Sequence, residues 1–188
     1  VNLTGINFPL SWTTTLDQGN GTYWNENDNT YQSPFQGCTG ITSFEIPEGV
    51  TAIPKHAFRG LPDLKEVTFP RSLQTIGNFA FAGCTGIGEI TLPDSVTEIE
   101  EGALASCPKL RSIRFPAGVE NIPVEALRGC QYLETLTVDP ANPNYLSAGN
   151  CIIDKRNGEL ILGADIAVIP TDGSVRTIAK RRMAAADA

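Results

Sequence analysis

Few residues in this chain are of types that begin covalent chemistry. There is one histidine, His56, in the turn Ile53-Pro54-Lys55-His56. One imidazole excludes multi-histidine metal sites, and a lone histidine in a surface-like turn is expected to be structural. Cysteines stand at 38, 84, 107, 130 and 151 with no C-x-x-C pair, so a zinc ribbon is not expected. Their odd number excludes a complete intramolecular disulfide framework. The loop Asn25-Glu26-Asn27-Asp28-Asn29 carries oxygens that suit calcium but lacks the spaced acidic pattern of a calcium loop. Carboxylates are plentiful, yet none stands in a nucleophile, acid/base or phosphate-cradling motif. No catalytic residue, metal or cofactor is therefore expected. The chemistry that remains is recognition, either by charged side chains or by the aromatics Trp12, Tyr23 and Trp24.

Composition narrows the partners. Among 188 residues, 14 are Lys or Arg and 21 are Asp or Glu, a net charge of −7. That charge repels nucleic acid and anionic lipid. No apolar run approaches the ~18 residues of a membrane span. The opening Val1-Asn2-Leu3-Thr4 has no basic signal-peptide start and no initiator Met, so a processed or trimmed start is expected.

The elements that position any site follow from a repeat. Cys38, Leu61, Cys84, Cys107 and Cys130 are each 23 residues apart. The same step gives the apolar columns Phe44, Val67, Ile90, Ile113, Leu136 and Ile46, Phe69, Leu92, Phe115, Val138. It also gives Pro47, Pro70, Pro93, Pro116, an Ile53, Ile76, Ile99, Ile122 column, and Ala-Phe or Ala-Leu pairs ending at Phe58, Phe81, Leu104 and Leu127. A fixed period of this kind specifies a solenoid, since no unit can bury its apolar face alone. Phe44-x-Ile46 alternates, as a short strand does, and a proline ends it. The Ala-Phe pair is expected to open one helical or 3₁₀ turn. Leucine at 61 shows that the cysteine column wants an apolar side chain. Free buried thiols are the favoured reading; a disulfide between successive units, such as Cys84 with Cys107, is the alternative.

The pattern I-x-I-P-x-x-V-x-x-I-x-x-x-A-F-x-x-C, seen here as Phe44-Glu45-Ile46-Pro47-Glu48-Gly49-Val50, Ile53 and Ala57-Phe58, resembles the BspA-like bacterial leucine-rich repeat of 23 residues. The resemblance implies an α/β repeat solenoid of short stacked parallel strands. It divides the chain into an N-terminal cap over 1–37, repeats over 38–138, a hairpin insertion over 139–165 signalled by Asn157-Gly158, and a partial terminal repeat over 166–188. It implies a non-enzymatic module of a bacterium, secreted or on the cell surface, that adheres to a protein partner such as host matrix or another cell surface.

Two candidate sites follow. Solvent-facing strand positions carry Glu45, Glu66, Glu89, Arg111 and Arg114, with the arginines as the expected anchors of a broad protein contact. The alternative is a glycan platform in the cap, formed by Trp12, Tyr23 and Trp24, although aromatic side chains also suit closing the first core layer. The last unit lacks its second half, which predicts either fraying or weak end-to-end association with another copy.

Overall fold

Alternating apolar residues bury one face only where another segment covers it, and in this chain the cover is the next unit. The computed structural model describes residues 23–25, 30–33, 35, 38 and 40–178. At its start β1 (Tyr23–Asn25) and β2 (Thr30–Gln32) pair antiparallel, with Trp24 opposite Tyr31. The coils then supply β3 (Ser43–Glu45), β4 (Ala52–Ile53), β5 (Glu66–Thr68), β6 (Thr75–Ile76), β7 (Glu89–Thr91), β8 (Glu98–Ile99), β9 (Ser112–Phe115) and β10 (Thr135–Val138). Pairing is parallel and steps by the repeat. Ser43 lies beside Glu66, Ile76 beside Ile99, and Ile113 beside Leu136. One side of the stack is the ladder β4-β6-β8. The other is split into β3-β5 and β7-β9-β10, with no ladder joining β5 to β7.

Each proline begins a turn after its strand. The N–H groups of Val50, Leu73, Val96 and Val119 donate to the carbonyls of Pro47, Pro70, Pro93 and Pro116. Proline fixes φ there and ends the ladder without leaving a donor unused. Inside, Phe35, Phe58 and Phe81 stack face to face, at 5.5 Å and 15° and then 5.0 Å and 7°. Leu104 and Leu127 continue that column, and both are fully buried.

The expected helical turns are not formed; among the described residues there is no helix. The reason is in the backbone. His56, Phe79 and Gly102 have φ of 58°, 53° and 66°, and Gly60, Gly83 and Ser106 have 74°, 74° and 56°. These left-handed residues turn alternate N–H groups outward. In the first coil Ala57 and Arg59 donate within the turn, to Pro54 and His56. His56, Phe58 and Gly60 donate instead to Asn78, Ala80 and Ala82 of the next coil. A helical turn would draw the Phe58 and Gly60 N–H groups back to the carbonyls of Pro54 and His56 and leave the coils less stitched.

The cysteine column follows the apolar reading. All five cysteines are free, and Cys84, Cys107, Cys130 and Cys151 are buried. The thiols of Cys84, Cys107 and Cys130 donate to the carbonyls of Phe58, Phe81 and Leu104 in the preceding coil, at 3.1, 3.3 and 3.2 Å. Burial pushes the Cys84 and Cys130 thiols up to about 11, and Cys107 higher still. They are thus protonated, unreactive core residues at neutral pH.

Past β10 the chain leaves the period and forms β11 (Tyr145–Ala148), β12 (Cys151–Asp154), β13 (Glu159–Gly163) and β14 (Thr177–Ile178). The expected hairpin is part of a three-strand meander. Gly149-Asn150, with φ of 57° and 59°, closes β11 onto β12, and a turn ending at Gly158 closes β12 onto β13. Two left-handed residues in a two-residue loop suit the strand twist. Asn142 joins this meander to the last coils. Fully buried, its amide donates to the carbonyls of Pro116 (3.2 Å) and Val119 (2.9 Å), and its oxygen accepts from the N–H groups of Asn144 and Tyr145, both at 2.9 Å. β14 pairs parallel with β13, and its Ile178 is 62% exposed.

Candidate functional site

Strands β3, β5, β7 and β9 present Glu45, Glu66, Glu89 and Arg114 to solvent because the alternate residues point into the core, and Arg111 directly precedes β9. Glu45, Glu66, Glu89, Arg111 and Arg114 are all exposed. Their electrostatic situations differ. Arg111 is paired with Glu134, and Arg114 sits between Asp94, at 3.3 Å, and Asp139. The two expected anchors are thus engaged by carboxylates of this chain, in exposed pairs each worth about 0–1 kcal/mol. Among the described residues the side chains of Glu45, Glu66 and Glu89 take part in no ion pair or hydrogen bond. The open charge on this face is acidic.

Glu66 and Glu89 occupy one column in successive coils, at the place where the strand ladder is broken. A shallow trough of about 1000 Å³ lies there, between β5 and β7. Its lining takes Lys65, Glu66, Val67, Thr68 and Phe69 from the second coil, Gly88, Glu89 and Thr91 from the third, and Arg111 and Ser112 from the fourth. The core columns show what is unusual here. Phe44, Ile90, Ile113 and Leu136 are 6% exposed or less, as are Ile46, Leu92, Phe115 and Val138, whereas Val67 and Phe69 are partly exposed. Two causes coincide. Like charges side by side across a strand pair oppose its closure, and Gly88 supplies no side chain to cover the gap. Just before it the coils touch through backbone: a Cβ on Gly86 would lie 2.5 Å from the Leu64 carbonyl.

Other candidates lie apart from this site. His56 is buried at 7%, contrary to the surface-like turn expected of it. Its left-handed backbone turns the ring inward onto Phe79 of the next coil, at 5.5 Å and 4°, while Arg59 lies 3.4 Å from its Nδ1. Burial, then the charges of Arg59 and Lys55, push the imidazole down to about 4. The unfolded chain titrates near 6.5, so between these values it holds a proton that the folded chain does not. Stability from this site is complete above pH 6.5 and is lost as pH falls toward 4. His56→Asn suits the left-handed backbone and removes the titration. Its melting temperature should therefore fall less than that of the parent chain between pH 7 and 4.5. Equal falls would sink this account.

Among the described residues no group of three His, Cys, Asp or Glu side chains is placed to hold a metal ion. Trp12 and the Asn25–Asn29 loop's interior fall outside the described residues; Tyr23 and Trp24 are described only as backbone of β1. Sequence reasoning placed Val67 and Phe69 in the core and passed over Gly88. The available signal was Gly86-Ile87-Gly88 beside two glutamates one period apart.

Residues 29–148 match the model of the BspA type leucine rich repeat region, in six copies. Among solved structures the chain is similar to the pneumococcal vaccine antigen PcpA, at 19% identity and a TM-score of 0.55, over 84% of this chain and 44% of that one. It is also similar to a leucine rich cell surface protein of Faecalibacterium prausnitzii, at 23% identity and a TM-score of 0.49, over 63% of this chain and 40% of that one. A third similarity is to a leucine rich repeat protein of T. pallidum, at 28% identity and 0.45, over 57% and 60%. The chain thus spans 40–60% of the length of these three structures. No curated protein matches it.

Proposed function

Because the chain belongs to the BspA-type leucine-rich repeat family, we propose that it is a secreted or surface-displayed adhesion module, binding a protein through its strand face. Leucine-rich repeats of this kind are typically non-enzymatic scaffolds for protein–protein interaction. The observation that carries the reading is the pair of open carboxylates Glu66 and Glu89, one repeat apart beside an uncovered part of the core, with the open Glu45 on the neighbouring strand opposite Thr68. Apolar ground with charge at its rim is the composition of a protein contact. The bacterial surface proteins that the repeat resembles support an extracellular site of action.

The test is saturable binding of the purified chain to immobilised host-matrix proteins, compared with two charge reversals. Glu45→Lys, Glu66→Lys and Glu89→Lys together should abolish binding. Arg111→Glu with Arg114→Glu should weaken it less, since these arginines already serve Glu134, Asp94 and Asp139. Binding that both sets leave intact would move the interface off this face. The aromatic platform of Trp12, Tyr23 and Trp24, with a glycan ligand, remains the second reading on residue type alone.

A further inference from the structure

We infer that the trough between β5 and β7 is an anchor site for an extended segment of a protein partner, with one apolar side chain seated over Val67 and Phe69 and a neighbouring lysine or arginine held at Glu66 and Glu89. This rests on the strand face being the interface. The floor is prepared for an apolar group: Val67 and Phe69 are uncovered in columns where every other coil buries its residue. It is also backed from below. Phe69 meets Phe81 edge to face at 5.8 Å, and Phe81 is stacked on Phe58. An apolar side chain seated there gains from burial without asking the floor to rearrange.

The rim selects the neighbour. Of the charged lining residues, Arg111 is neutralised by Glu134, which leaves Lys65 against the two open carboxylates Glu66 and Glu89. Those two are like charges in adjacent coils, and an ammonium or guanidinium placed at both relieves their repulsion as it binds. An acidic neighbour would add a third negative charge. The trough is open along its length, unlike the enclosed pocket that holds a small molecule, so the occupant is a segment of chain lying across the strands.

The probe is an array of short peptides with a Ser/Gly frame. The central residue is Phe, Leu or Ala, and the next is Lys, Gln or Glu. The intact chain should retain Phe-Lys and Leu-Lys peptides, roughly tenfold more weakly with Gln and not with Glu, and added salt should narrow the Lys–Gln difference. Gly88→Phe fills the trough; a Cβ there meets nothing closer than the Lys109 carbonyl at 3.9 Å, so the variant should fold. It should lose all peptide binding, with its urea midpoint unchanged. Glu66→Gln with Glu89→Gln should erase the Lys preference and keep the apolar one. Binding retained by Gly88→Phe, a preference for Glu peptides, or retention of glycans alone would overturn the inference. The matrix-protein assay separates the two readings. If the glutamate reversals lose the protein partner while Gly88→Phe keeps it, the trough fails and the strand face stands. If Gly88→Phe loses peptides as expected but the reversals keep the protein partner, the interface reading fails instead.

Discussion

Phe81→Ala is expected to lower stability by about 3–5 kcal/mol, as truncation of a fully buried aromatic does. Phe81 has no exposed surface, stacks on Phe58 at 5.0 Å and supports Phe69 at 5.8 Å. Removing it opens a cavity in the middle of the array, where coils above and below both lose contacts. In a stack where each unit is stable only through its neighbours, the loss is felt as weakened coupling between coils rather than as one missing side chain. For a chain of this size the melting temperature should fall by roughly 6–20 °C. Phe81→Leu should cost far less, about 1 kcal/mol, because the same column holds Leu104 and Leu127. Urea unfolding of the three forms checks this. A Phe81→Ala loss no larger than that of Phe81→Leu would show that the aromatic column is not what couples the coils.

The second large effect is polar. Asn142→Leu keeps the volume and removes four hydrogen bonds at once, to the carbonyls of Pro116 and Val119 and from the N–H groups of Asn144 and Tyr145. Buried groups left without partners cost about 1–3 kcal/mol each, and relaxation of the loop recovers part of the sum, so a loss of about 3–5 kcal/mol is expected. Asn142→Asp keeps the acceptor but sets a buried carboxylate against the carbonyls of Pro116 and Val119, and at neutral pH should cost at least as much as Leu. Hydrogen exchange locates the damage: amides of β11 and β12 should lose protection before those of β7 and β9. Uniform loss of protection across all four strands would contradict Asn142 as the joint between coils and meander.

The parts of the fold legible in sequence are those the period writes. Strands, proline turns and the buried cysteine column recur five or four times, so each column averages out the accidents of single residues. The double turns look helical in sequence because Ala-Phe pairs carry no sign that His56, Phe79 and Ser106 take left-handed backbone; only the glycines of those columns hint at it. Arg111 with Glu134 is one period apart on the same column, and its pairing follows from the repeat once strands are stacked. The trough is different in kind. Val67 and Phe69 look like their column neighbours, and their exposure arises only from how two particular coils meet. Asn142 lay beyond the period, where a single asparagine among several gives no sign that it is buried.

Between the second and third coils the stack is laced through β6 and β8 and through the turn, where Phe79, Phe81 and Gly83 donate to Glu101, Ala103 and Ala105, and is unlaced between β5 and β7. A rod joined in this way has a built-in flexure. Tension or a lateral load concentrates curvature at that seam, opening the unlaced side while the laced side acts as the pivot. Coils on either side move as levers, and a side chain wedged into the seam stiffens the whole rod against bending in that plane.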